Sequence, residues 1–167
     1  LQSSGDCREE DAAWRIMRIE TLLERQRDFY ASGRTRNVAF RLAALKRLRA
    51  AIRRYEKEIE EALHKDLHKS AFEGYMAEVG MTLSEIGYLM AHTPRLAERE
   101  RVRTPLAQFP ARSYVVKEPY GVVLVMSPWN YPFLLAMEPA VGAIAAGNCC
   151  IIKPSAYSPA TSRILVK

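Results

Sequence analysis

The chain has 167 residues, 49% of them apolar and 26% charged, with a formal net charge of +6. These totals suit a domain with a real core, or part of something larger, and exclude disorder over the whole length. A membrane-spanning helix needs roughly 18 uninterrupted apolar residues, and Glu138 and Pro139 break the longest candidate.

Residues 1–7 are polar and read as a leader without a secretory pattern, which makes the cytoplasm the expected location. Residues 8–31 carry a helical pattern, with Trp14, Met17, Leu22 and Phe29 near helical spacing and Gly33 as the stop. Asn37 suits the cap of a second helix. An apolar stripe through Phe40, Leu45, Leu48, Ile52, Tyr55, Ile59 and Leu63 predicts that helix as one long element, broken over 66–70. A third helix is expected over 71–92, bent or ended by Pro94, with a marginal further helix over 95–101. Two prolines make 104–110 a loop; 113–117 reads as a strand and 118–120 as a turn.

The run from Gly121 to Met126 is continuously apolar and rich in β-branched residues, as in a strand covered on both faces of a parallel sheet. Ser127, Pro128, Trp129 and Asn130 break it. Pro132 can sit in the first turn of an apolar helix over 133–146, and Gly147 and Asn148 stop that helix because both tolerate positive φ. A second buried strand begins at Cys149 and ends on Lys153, Pro154 and Ser155. This is a βαβ unit. Parallel strands turn their carboxyl ends to a ligand crevice, and both polar tips lie at those ends. Residues 159–167 begin another helix, with Ser158 as cap and Pro159 in its first turn. Two core strands and one unfinished helix would leave apolar faces bare, so the sequence reads as part of a larger α/β protein.

Three cysteines are too few for a disulfide framework, and Cys149 and Cys150 fall on a buried strand. His64 and His68 share a helix face, but without a carboxylate or thiol pair beside them they are read as ordinary histidines and no metal site is assigned. The basic surplus before residue 55 and at Arg99, Arg101 and Arg103 alternates with apolar residues, so it is read as solvated helix faces rather than a nucleic-acid surface.

Four segments together carry a resemblance: Glu118 to Val123, Ser127 to Phe133 (containing Pro-Trp-Asn-Tyr-Pro), Ala145 to Cys149, and Lys153 to Ser155. Upstream, Lys65 to Ser70 with Glu73, and Arg103 to Leu106, agree with them. On these residues the chain, over about 35–167, resembles the amino-terminal part of an aldehyde dehydrogenase, closest to the class 3-like branch of fatty and aromatic aldehyde dehydrogenases. The resemblance implies a leading helical region over 8–103 and a loop and strand over 104–120 near an oligomerisation element. It implies further that 121–167 opens a doubly wound, Rossmann-like NAD(P)-binding domain, here incomplete.

Roles carried over by resemblance are these. Asn130 matches the catalytic asparagine whose amide binds the oxyanion formed when a cysteine thiolate adds to the aldehyde. Ser127, Pro128 and Trp129 match the loop that passes along the cofactor. Lys153 matches the lysine that contacts the adenosine ribose, and Ser155 beside it is placed near the ribose or its phosphate. The family's nucleophilic cysteine and general-base glutamate match no position here, and Cys149 and Cys150 lie on the wrong element to replace the nucleophile, so the fragment alone is expected to be inactive. A glutamate that many members carry directly after the Lys-Pro-Ser segment is here Ala156, which removes a charge that would repel a 2′-phosphate. The resemblance thus implies NAD or NADP as cofactor, an aldehyde substrate and, at full length, a homodimer. A non-catalytic basic helical module with an anionic partner, or a pseudoenzyme subunit, are the rival readings; neither accounts for the four segments.

Overall fold

A computed structural model describes residues 6–167, with side chains from residue 18 onward. Of the leader expected at residues 1–7, residues 1–5 lie outside the described residues, as do the side chains of Cys7, Trp14 and Met17, while residues 6 and 7 already belong to the first helix. Helix α1 (Asp6–Ala31) ends at Gly33, whose φ of 73° is open to glycine. After a 3₁₀ turn (Arg34–Arg36), Asn37 caps α2 (Val38–Arg54) by accepting the Phe40 N–H, as its sequence position suggests. The long apolar stripe is two helices rather than one. Tyr55 leaves helical geometry (φ −101°, ψ 12°), and α3 (Glu56–Leu67) starts after it. Periodicity survives such a joint because the same face stays buried, which is why the stripe hid it.

Helix α3 stops at His68, which takes a left-handed φ of 56°. A short α4 (Ala71–Gly74), capped by Ser70, runs into a π turn (Tyr75–Val79) and then α5 (Gly80–Leu96). Gly80 sits close under the π turn: a Cβ there would meet the Tyr75 carbonyl oxygen at 3.0 Å, a tight contact. Pro94 neither ends nor breaks α5, which continues to Leu96; its missing N–H falls in the last turns, where little helix remains to disrupt. The helix expected over 95–101 does not form. Instead β1 (Glu100–Val102) pairs antiparallel with β2 (Ser113–Val115), a partner that local propensity cannot reveal.

Strand β3 (Val122–Met126), helix α6 (Leu134–Ala146) and strand β4 (Cys149–Lys153) form the expected parallel βαβ unit, in register from Val122↔Cys149 to Met126↔Lys153. Strand β3 is not covered on both faces: Val125 is buried, but Leu124 and Met126 are 60% and 72% exposed. Its apolar run is continuous, yet among the described residues the face that carries Leu124 and Met126 is left largely open. The core gathers Leu45 and Ile52 from α2, Ile59 and Leu63 from α3, Val79 from the π turn, Ile86 from α5, Phe133 at the cap of α6 and Val141 within it. Gly147 stops α6 at φ 91°. Asn148 accepts the Gly121 N–H at 2.9 Å, tying the start of β3 to the turn before β4.

Two polar side chains from the leading helices brace this unit. Buried Arg41 donates to the carbonyl oxygens of Thr35, Arg36 and Ala145, so one guanidinium closes both the 3₁₀ turn and the carboxyl end of α6. Asp66 takes the N–H groups of Ala160 and Thr161 at the start of α7 (Pro159–Ile164). Ser158 does not cap α7 through its side chain; its Oγ turns back to the Ser155 carbonyl. The cap comes from 95 residues earlier in the chain.

Candidate active site

Both strands end at the same edge. Beyond the last paired residues, the Ser127 N–H donates to the Lys153 carbonyl oxygen at 3.2 Å, so the ladder carries on into the loop and holds the two tips together. Ser127 is buried and its Oγ makes no hydrogen bond among the described residues. Pro128, Trp129 and Asn130 follow in the open, Trp129 being 53% exposed. Lys153 is exposed at the neighbouring tip and makes no ion pair among the described residues. The loop that carries Asn130 therefore leaves β3 at the same end of the sheet as Lys153. Ser155 is drawn inward: its Oγ accepts the Tyr157 N–H at 3.2 Å and its carbonyl accepts from Ser162, so it shapes the turn after β4. Ala156 is exposed beside it.

The loop carrying Asn130 is held from below by two residues that sequence reasoning gave no role. Lys69 Nζ lies 2.6 Å from Glu78 Oε1, with Glu78 fully buried and Lys69 nearly so. The same ammonium donates to the Asn130 carbonyl oxygen at 3.1 Å and lies 4.1 Å from the centre of the Tyr131 ring. The other Glu78 oxygen accepts the N–H groups of Phe133 and Leu134 at 2.8 and 3.1 Å. Those are orphan donors of the first turn of α6, which a carboxylate satisfies both as acceptor and as a charge at the positive end of the helix. Glu78 could have been noticed in the sequence. It stands four residues before Thr82 and eight before Ile86, a carboxylate on an otherwise buried stripe.

The tips fit a dinucleotide by the chemistry of their groups. An ammonium and a buried hydroxyl, each without a side-chain partner among the described residues, and an exposed indole edge a parallel pair at its carboxyl end, where such ligands are bound in open α/β sheets. Cys149 and Cys150 are not part of this surface. Cys149 is buried on β4, burial pushes both thiols above the ordinary range, and Cys149 raises Cys150 further. A reactive thiol needs the opposite, an exposed electropositive setting. His64 and His68 pack edge to face, and the His64 Nδ1 meets the Lys69 carbonyl oxygen at 3.0 Å. A cavity of about 240 Å³ lined by Arg41, Leu89, Thr93 and Ala145 lies at the carboxyl end of α6, the far end of that helix from Asn130.

The model of the aldehyde dehydrogenase family matches residues 17–167. The 4,4′-diaponeurosporen-aldehyde dehydrogenase of Staphylococcus aureus is 44% identical over 147 residues, covering 88% of this chain and 32% of that protein. Aldehyde dehydrogenase family 3 member A2 of Mus musculus is 43% identical over 149 residues, covering 89% of this chain and 31% of its own length. A solved structure of S. aureus AldH in a substrate-bound state superposes with a TM-score of 0.86 at 44% identity, over 88% of this chain and 32% of that one. The chain spans about a third of the length of the relatives it matches. Its helices, its βαβ unit and the segments around Asn130 and Lys153 thus belong together for a reason: the chain is a member of the aldehyde dehydrogenase family.

Proposed function

We propose that the full-length protein containing this chain is an NAD(P)-dependent aldehyde dehydrogenase that oxidises aldehydes to carboxylic acids. The observation that carries this reading is the Ser127 N–H to Lys153 carbonyl hydrogen bond, which ties the carboxyl end of β3, from which the Asn130 loop departs, to the end of β4 that bears Lys153. Lys153 offers an ammonium to a ribose oxygen. Ser127, Pro128 and Trp129 form the wall along which the dinucleotide lies, and the Ser155 hydroxyl proton remains free to reach a sugar oxygen while its oxygen holds the turn. The cofactor supplies the oxidant.

Asn130 acts on the aldehyde. Addition of a thiolate to the carbonyl carbon places a full negative charge on oxygen, and a neutral amide fixed beforehand stabilises that charge without reorganising at the moment of reaction. Nucleophile and general base come from parts of the protein outside this chain. The names of the relatives support an aldehyde substrate. The exposed β1–β2 ladder, with Val102 and Tyr114 each 36% exposed and Val115 48% exposed, supports a homodimer built on that element. A cytoplasmic location accords with this reading.

The test is steady-state aldehyde oxidation by the full-length protein and its Asn130→Ala variant. Loss of one oxyanion donor lowers kcat by about 10²–10³-fold. An undiminished kcat in the variant sinks the assignment.

A further inference from the structure

Lys69 and Glu78 are costly to bury. Desolvating two charges consumes most of what their attraction returns, and an apolar pair of equal volume would fill the space as well. The pair is better explained by what its remaining hydrogen-bonding capacity holds. Lys69 reaches the Asn130 carbonyl oxygen (3.1 Å) and the Tyr131 ring (4.1 Å); Glu78 reaches the Phe133 and Leu134 N–H groups (2.8 and 3.1 Å). These four contacts bracket Pro132, which has no N–H of its own to offer. Every residue from 130 to 134 except that proline is thus gripped by one ion pair. Glu78 itself is delivered by the π turn, a helix distortion frequent at functional sites. Meanwhile the Asn130 side chain stays exposed. Its backbone is clamped while its amide is left free.

We infer that the buried Lys69–Glu78 pair is the positioning device for Asn130, fixing the peptide from which the amide is aimed at the developing oxyanion. This rests on the oxyanion role proposed for Asn130. Neither residue touches substrate or cofactor; both act through the loop. Pre-organised donors lose their advantage with small displacements, and a misplacement of about 1 Å is enough to cost on the order of 10²-fold.

A double-mutant cycle in the full-length enzyme tests it, with kcat and cofactor KM measured for Lys69→Met, Asn130→Ala and the two combined. Lys69→Met is expected to lower kcat at least about tenfold, with the cofactor KM within about twofold of wild type. In the Asn130→Ala background the same substitution should cost no more than about twofold, because the group it positions is gone. Lys69→Arg, which keeps the charge, should recover part of the loss. If Lys69→Met does not fold, the cycle is read on the isosteric Glu78→Gln. An equal loss in both backgrounds, or no loss in either, overturns the positioning role alone. A normal kcat for Asn130→Ala overturns the oxyanion reading and this inference with it.

Discussion

The Asp66 carboxylate accepts the Thr161 backbone N–H at 2.7 Å and the Thr161 hydroxyl at 2.8 Å, across 95 residues of chain. Together with the Ala160 N–H on its other oxygen, this makes a side chain at the end of α3 the cap of α7. Asp66→Ala should therefore destabilise the protein by about 1–3 kcal/mol, since it strands buried helix-start donors. Asp66→Asn, which keeps one acceptor oxygen, should lose less. Urea unfolding of both variants decides it; an Asp66→Ala curve overlying the wild type would refute the cap.

Gly147 is the least replaceable glycine here. Its φ is +91°, and a Cβ would lie 2.7 Å from the Arg41 guanidinium. The arginine cannot simply step aside, because it holds the carbonyls of Thr35, Arg36 and Ala145. Gly147→Ala is expected to cost at least about 2 kcal/mol, combining left-handed strain with weakened hydrogen bonds to a charged group. Thermal melts should show a clear drop, whereas Gly142→Ala, where a Cβ meets nothing within 4 Å, should melt near the wild type.

Cys149 and Cys150 should behave as inert thiols. Burial raises both, so near neutral pH alkylation by iodoacetamide should be far slower in the folded protein than after denaturation. The same shift sets a pH dependence. An unfolded thiol ionises near about 8.5, below its folded counterpart, so the unfolded state releases its protons first as pH rises. The stabilisation is present in full below that value and is lost as pH climbs through the folded range. Denaturation midpoints should fall above about pH 8.5, and the Cys149→Ala, Cys150→Ala double variant should show a shallower fall.

Ala156 stands exposed beside the turn that follows Lys153. With no carboxylate there, a 2′-phosphate meets no local repulsion, and the full-length enzyme is expected to use NADP as well as NAD. Ala156→Glu should lower kcat/KM for NADP by about tenfold or more while sparing NAD. A strong NAD preference that is the same before and after the substitution would refute the idea.

Much of this was legible before any coordinates. The βαβ unit, the Gly33 and Gly147 stops and the Asn37 cap are local, written in spacing and in which residues tolerate a left-handed backbone. What escaped was non-local. The Asp66 cap on α7 and the grip of Glu78 on Phe133 and Leu134 join residues more than 50 positions apart, and the β1–β2 pairing, though closer in sequence, depends on a partner that the propensity of neither strand reveals. Asn130 and Lys153 were visible because short motifs carry them. Their support was not, although Glu78, a lone carboxylate in line with the buried stripe that continues into α5, was a clue. The exposed Leu124 and Met126 show the converse limit: an apolar run announces that a face wants covering, without saying which segment covers it.

The π turn between Tyr75 and Val79 has a consequence of a different kind. An α-helix advances about 100° per residue, and the wider π turn absorbs one surplus residue as a local offset while the helix on either side keeps its phase. That offset lets Glu78 turn toward α6 while Thr82, Leu83 and Ile86 still sink between their neighbours. Chain length in this stretch is thus part of the specification. Deleting a single position there would close the turn to ordinary α geometry and remove the offset that carries Glu78 toward α6, even if every remaining side chain were kept.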